Sequence, residues 1–112
     1  MTGDKPVVWL SGEVKTPPFS PEARVEAGFL LRRLQRGENV GLPHARPMPA
    51  VGRRCLELRI RDRKKNWRIM ARIDRDAVVV VEVFEKKTRT TPAKVIATCK
   101  DRLTRYDEIA KG

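Results

Sequence analysis

The fold of this chain is decided by CLELRIRD (55–62), KNWRIMARID (65–74) and AVVVVEVFEKK (77–87). In the first two segments apolar residues alternate with charged ones, a period of two that is typical of strands with one buried face. The apolar face comprises Leu56, Leu58, Ile60, Trp67, Ile69, Ala71 and Ile73. The opposite face carries mainly guanidinium groups, whose planar fork suits phosphate oxygens. The pattern therefore predicts a sheet with one face for a core and one face for an anion.

The overall charge agrees with that reading. The chain has 25 Lys and Arg against 14 Asp and Glu, a net charge of +11 on 112 residues. Such a charge attracts polyanions, either nucleic acid or an anionic membrane surface. The basic residues follow strand patterns and do not form one amphipathic helix, which favours nucleic acid over a membrane. An inert basic domain and a protein with an acidic protein partner are the alternatives.

Two helices are expected around these strands. Ser20 is a helix N-cap followed by Pro21, and Gly37 closes the helix. The second helix begins at Thr91-Pro92 with the same signal. Their apolar stripes are Ala23, Ala27, Leu30, Leu31 and Leu34 in the first helix, and Val95, Ile96, Cys99, Leu103 and Tyr106 in the second.

A first strand is expected over Val7–Val14, and residues 38–54, with their prolines and glycines, are expected to form a long loop. Tight turns at 63–66 and 75–76 indicate antiparallel hairpins. Val78–Val81 is apolar on both faces and predicts a central strand covered on at least one side. The expected architecture is a single α+β domain over residues 1–112, a mostly antiparallel four-stranded sheet with helices packed on one face.

Several classes of protein are disfavoured. The longest apolar run, Ala77–Val81, is far from the roughly 20 residues of a membrane span, and the N-terminus lacks a signal-peptide core. A cytoplasmic protein without a membrane partner is expected. Cys55 and Cys99 form no motif and are predicted to be buried structural thiols. A single histidine makes a metal site improbable, and no cofactor is expected.

The motifs PHARPMP (43–49), CLELRIRD, NWRIMARID (66–74) and VFEKKTRTTP (83–92), in this order, resemble the RelE/HigB superfamily of bacterial toxins, most closely its phage-derived, HigB-like members. The resemblance extends over residues 7–106. It implies a RelE-like microbial RNase fold and an endonuclease that cleaves mRNA in the ribosome. It also implies attack by the ribose 2′-hydroxyl on the adjacent phosphate without a metal, and neutralisation by an antitoxin with a helix-turn-helix domain.

The resemblance also assigns candidate catalytic residues. Arg68 matches the family position for a cation that stabilises the phosphorane transition state. Arg59 lies on the basic second strand and is expected to hold the same phosphate. Lys86 or Lys87 is expected near the leaving group; they point to opposite faces, and the sequence alone does not choose between them.

The general base is an open question at this point, because the segment after the last strand lacks the tyrosine found in RelE. Glu57 is one candidate, as a carboxylate among arginines, and His44 is the other, because imidazole is a common general base near neutral pH. The plainer interpretation is that Arg59 and Arg68 form cross-strand ion pairs with Glu57 and Glu82.

Further basic residues are candidates for RNA binding: Arg46, Arg53, Arg54, Arg61, Lys64, Lys65, Arg72 and Arg89. Trp9 and Trp67 are expected in the core and not against bases. The competing function is a catalytically silent RNA-binding or ribosome-binding relative. A DNA-binding regulator is disfavoured because no helix-turn-helix pattern is visible.

Overall fold

A computed structural model describes residues 4–111 and contains two helices and five strands. The elements are β1 (Val7–Trp9), α1 (Pro21–Gln35), β2 (Ala45–Pro47), β3 (Cys55–Asp62), β4 (Lys65–Ile73), β5 (Val78–Glu85) and α2 (Ala93–Lys111). The strands form one sheet in the order β1-β5-β4-β3-β2. β1 is parallel to β5 and the other neighbours are antiparallel, so the sheet is mixed.

The prediction of a four-stranded sheet is wrong. The additional strand, β2, comes from the segment expected to be a loop and pairs with β3, with Arg46 opposite Glu57. Three residues beside prolines are too short for an alternating pattern to be read. β1 is also shorter than predicted and ends at Trp9, not at Val14.

The two helices lie on opposite faces of the sheet, so the prediction that they share one face is also wrong. The α1 face is a layer of aliphatic and aromatic side chains. From α1 it includes Ala23, Ala27, Leu30, Leu31 and Leu34, and from the sheet Leu58, Ile60, Trp67, Ile69, Ala71, Val78 and Val80. These are the predicted helix stripe and the predicted apolar strand face.

The α2 face has a second, smaller core. Cys99 and Leu103 of α2 pack with Met70, Val79 and Val81. This second core exists because Val78–Val81 is apolar on both sides, and a strand of that kind needs a cover on each face. The remainder of this face, over β3 and β4, carries charged side chains.

Local signals at the ends of α1 are confirmed. The Ser20 side chain accepts a hydrogen bond from Ala23 N at 3.1 Å, Pro21 begins α1, and Gly37 takes φ +82° after its end. Asp62, at the end of β3, accepts hydrogen bonds from Ser20 N (2.9 Å) and Trp67 Nε1 (3.1 Å). This carboxylate therefore ties the α1 N-terminus to the sheet.

The two tryptophans behave differently. Trp67 is buried and stacks on Phe19 with ring centroids 4.3 Å apart, as expected of a core residue. Trp9 is 44% exposed, so its assignment to the core is wrong. Trp9 is the last residue of a three-residue strand at the edge of the sheet. An alternating pattern predicts burial only where another element covers that part of the sheet.

Cys55 and Cys99 are buried free thiols, as predicted. Burial raises both pKa values, that of Cys99 to about 11, which keeps the thiols protonated at neutral pH. Within residues 4–111 no helix is long and apolar enough to cross a membrane, and no cluster of His, Cys, Asp or Glu is suited to a metal ion.

Candidate active site

The strand register gathers the predicted catalytic arginines on the α2 face. Arg59 of β3 lies directly opposite Arg68 of β4, and Arg46 of β2 lies opposite Glu57 of β3. Alternation within β3 and β4 places these side chains on the face opposite Leu58 and Ile69. With Lys86, which follows β5, the arginines form a group that we call the cationic cluster: Arg46, Arg59, Arg68 and Lys86.

Glu57 lies at the centre of this cluster and has no exposed surface. Its Oε2 accepts a hydrogen bond from Thr91 Oγ1 at 2.7 Å. Its Oε1 lies 3.5 Å from Arg68 Nε and 3.7 Å from Lys86 Nζ. One buried carboxylate thus balances two buried cations, an arrangement that offsets the cost of removing each charge from water.

The contact between Glu57 and Arg68 is an ion pair without a hydrogen bond. Neither Glu57 Oε1 nor Arg68 Nε has a hydrogen-bond partner among the described residues. The Arg68 guanidinium is fixed instead through Nη1, which donates a hydrogen bond to the Trp67 carbonyl oxygen at 3.0 Å. The backbone therefore orients this guanidinium, while the carboxylate supplies the compensating charge.

Burial lowers the pKa of Arg68 and of Lys86. Glu57 opposes that effect in both residues, and the neighbouring Arg59 and Arg46 reinforce it. A lysine with a lowered pKa is a stronger acid, which suits a group that protonates a leaving alkoxide. For the arginine the shift leaves the guanidinium charged at any working pH.

A β-bulge decides which of the two lysines joins the cluster. The β4–β5 register shifts between Met70 and Ala71, which pair with Glu82 and Val80 and leave Val81 as the extra residue. Beyond the bulge the even-numbered residues of β5 face α2. Lys86 is consequently buried beside Glu57, whereas Lys87 is exposed.

His44 lies at the rim of this group. It immediately precedes β2, is exposed, and its carbonyl oxygen accepts a hydrogen bond from Arg59 N at 2.8 Å. Extending the β2–β3 register by one residue puts it opposite Arg59, on the face of Arg46. The two base candidates therefore differ in access: Glu57 is enclosed, and His44 is open to solvent.

Most of the residues predicted to bind RNA are exposed: Arg46, Arg53, Arg54, Arg61, Lys64, Lys65 and Arg89. They do not form one surface. Arg46 belongs to the cationic cluster and Arg61 shares its face of the sheet. Lys65 lies over Trp67 on the α1 face, with Nζ 5.6 Å from the ring centroid. Arg54 donates to the Ile73 carbonyl oxygen.

Arg72 differs from the rest of that set. Its guanidinium donates two hydrogen bonds to Asp74 (2.6 and 2.9 Å) and two to Asp107 (3.0 and 2.7 Å). These bonds, those to Asp107 first, raise its pKa. Arg72 therefore joins β4 to α2, and its donors are already occupied by carboxylates.

Sequence reasoning missed the role of Thr91. The Thr91-Pro92 pair was read as a helix cap, but its hydroxyl donates to Glu57, 34 residues away in the chain. No sequence pattern carries that signal, because the contact depends on α2 crossing the sheet. A surface cavity of about 600 Å³ beside the C-terminal end of α1 is lined by none of the four cluster cations.

Comparison with known proteins identifies a family. The sequence model described as Phage derived protein Gp49-like (DUF891) matches residues 18–104, which include α1, all of β2 to β5 and every residue of the cationic cluster. No curated protein matches the chain.

Proposed function

We propose, from the premise that this chain belongs to the phage-derived Gp49-like family, which is associated with toxin–antitoxin systems, that it is a toxin of the RelE/HigB type. In this proposal it is an endoribonuclease that cleaves mRNA on the ribosome, and a helix-turn-helix antitoxin neutralises it in the cytoplasm. The observation that carries the proposal is the cationic cluster around Glu57, in which Arg46 is exposed and Arg59 is half-buried.

The cluster suits the cleavage of a phosphodiester by its own ribose. The 2′-oxygen bonds to phosphorus, the bond from phosphorus to the 5′-oxygen breaks, and a 2′,3′-cyclic phosphate and a 5′-hydroxyl result. Negative charge accumulates on the phosphorane oxygens, so fixed guanidinium groups lower the barrier more than they strengthen ground-state binding. Arg68 and Arg59, opposite one another on adjacent strands, are assigned to this role.

The two proton transfers need a base and an acid. His44 is assigned as the base for the 2′-hydroxyl proton, because it is exposed at the rim of the cluster. Lys86 is assigned as the acid for the 5′-oxygen, because its pKa is lowered by burial. No step requires a metal or a cofactor.

Glu57 is assigned a positioning role, because its carboxylate has no exposed surface, whereas Arg68 and Lys86 each keep a small exposed fraction. It balances Arg68 and Lys86 and keeps both within 4 Å of one point, while Thr91 fixes its other oxygen. Of the two candidates for the base, Glu57 is therefore disfavoured by its burial.

A second candidate function is a silent relative that binds RNA or the ribosome without cutting. The observation in its favour is also Glu57, since a carboxylate between two cations reduces the positive charge available to a phosphate. In this alternative the exposed Arg46 and the half-buried Arg59 bind the RNA backbone, and Arg68 and Lys86 serve folding.

Induced expression in a bacterial host, with mapping of mRNA 5′ ends, separates the two functions. We expect growth arrest and codon-positioned cuts from the wild type. Lys86→Ala is expected to reduce cutting by about 100-fold or more, as for the loss of a general acid, and Lys87→Ala to leave it unchanged.

Arg68→Ala is expected to abolish cutting as well, and circular dichroism of each purified variant checks that it is folded. Equal loss from Lys86→Ala and Lys87→Ala would contradict the site. A wild type that binds ribosomes and cuts nothing would establish the silent relative instead.

A further inference from the structure

We infer that a pocket beside the cationic cluster is a subsite for the nucleobase adjoining the scissile phosphate, and that it favours guanine. This inference rests on the proposed function for the presence of a phosphate at Arg68. The pocket has a volume of about 260 Å³ and opens between β2 with its following turn and the start of α2. Its lining consists of Arg46, Pro47, Met48, Pro49, Ala50, Thr90, Thr91 and Ile96.

The walls have the chemistry that a base requires. Two prolines, a methionine, an alanine and an isoleucine present apolar surface, on which the face of a base gains dispersion and loses unfavourable hydration. Met48 is buried, and Ile96 is half-buried against the second core. A sugar or a phosphate alone gains no stabilisation from apolar walls.

Two residues connect the pocket to the cationic cluster. Arg46 lines the pocket and also lies near enough to Arg68 and Lys86 to lower the pKa of both. Thr91 lines the pocket and donates its hydroxyl to Glu57. A phosphate held by Arg68 is therefore adjacent to a base held in the pocket, as within a single nucleotide.

The polar groups of the pocket select among bases. The Arg46 guanidinium is a two-pronged donor, which matches the O6 and N7 acceptors of guanine. Among the described residues that line the pocket there is no Asp, Glu, Asn or Gln side chain. Those are the side chains that read the amino groups of cytosine and adenine. Guanine is therefore the base that the lining satisfies best.

The test is a nuclear magnetic resonance titration of the intact chain labelled at the methionine methyl groups and the arginine side chains. The probes are 3′-GMP, 5′-GMP, 3′-CMP, 5′-CMP and inorganic phosphate. We expect phosphate to shift Arg68 but not the Met48 methyl group, and one of the two guanosine monophosphates to shift both. Whether that is the 3′- or the 5′-phosphate tells which neighbour of the scissile phosphate occupies the pocket. The corresponding cytidine is expected to bind roughly fivefold more weakly, the low end for one bidentate arginine contact.

Ala50→Trp provides a pocket-filling variant, because Ala50 is exposed and lies in the pocket wall. It is expected to abolish the Met48 shift and the preference for nucleotide over phosphate, while phosphate still shifts Arg68. Ala97→Trp, at an exposed position of α2 outside the pocket, is the matched control and is expected to bind as the wild type does.

Identical dissociation constants for GMP and phosphate, or an unchanged Met48 shift in Ala50→Trp, would overturn the inference. A Met48 shift from nucleotides without any response of Arg68 would overturn the adjacency of base and phosphate. The titration measures binding without cleavage. Failure of the proposed nuclease activity is therefore detected separately, by the mapping of mRNA 5′ ends.

Discussion

On the α1 face a continuous apolar layer joins helix and sheet, from Leu34 to Trp67, whereas on the α2 face the apolar layer is interrupted by charged side chains. These include Glu57, Arg68 and Lys86, all buried. The same strands therefore supply both a dry core and a charged site, separated by the thickness of one sheet.

The contrast between the α1 face and the α2 face indicates how a small chain keeps cations buried. The α1 face supplies hydrophobic stabilisation that does not depend on charge. Part of the α2 face is occupied by charged side chains instead of apolar ones. Its helix is additionally attached to the sheet by ion pairs, Arg72 with Asp107 and Arg102 with Glu82. Apolar burial and buried charge are thus divided between the two faces, and three substitutions test what each contributes to stability.

The largest effect on stability is expected on the α1 face. Ile60 is fully buried there, and Ile60→Ala should lower the free energy of unfolding by about 2–5 kcal/mol through lost burial and a residual cavity. Urea denaturation followed by circular dichroism measures this. The substitution Arg59→Ala, at the neighbouring position on the α2 face, should change the free energy of unfolding by no more than about 0.5 kcal/mol. Equal losses from the two variants would contradict the division between the faces.

An intermediate effect is expected where α2 is attached. Arg72→Ala removes four hydrogen bonds to Asp74 and Asp107 and should cost about 1.5–3 kcal/mol. Hydrogen exchange should accelerate in α2 while α1 stays protected. Arg75→Ala, at an exposed position of the adjacent turn, is the control. Uniform acceleration in both helices would show that α2 is not attached separately.

The smallest effect is a pH dependence on the α1 face. Hydrogen bonds from Ser20, first from its backbone N–H, lower the pKa of Asp62. Its ionised form therefore contributes stability that is present above the unfolded pKa of about 3.9 and is lost as pH falls through the lower folded pKa. The wild type should exceed Asp62→Asn in free energy of unfolding near neutral pH, and the gap should close below about pH 4. A gap that widens in acid would contradict this sign.

Features governed by neighbours in the chain could be predicted from the sequence. Ser20, Pro21 and Gly37 delimit α1 because capping and left-handed backbone conformations depend on a few adjacent residues. The alternation of Leu58 and Ile60 with Glu57 and Arg59 specified the two faces of β3 for the same reason.

Features governed by distant pairing could not. β2 exists because β3 offers it an edge, and three residues carry too little pattern to reveal it. The prediction that both helices pack on one face left Val79 and Val81 without a cover on the other face, where α2 packs. The sequence makes Arg68 and Glu57 candidate site residues, but their proximity to Lys86 and Thr91 depends on where β5 and α2 lie.

By itself the sequence determined an α+β chain whose sheet has an apolar face and a basic face, because side-chain alternation is a property of each strand alone. The tertiary structure decided which charges meet. The bulge in β5 turned Lys86 towards Glu57 and Lys87 towards solvent, and the placement of α2 brought Thr91 to the same carboxylate. Those choices depend on strand register and helix packing, which are settled only when separate elements are assembled.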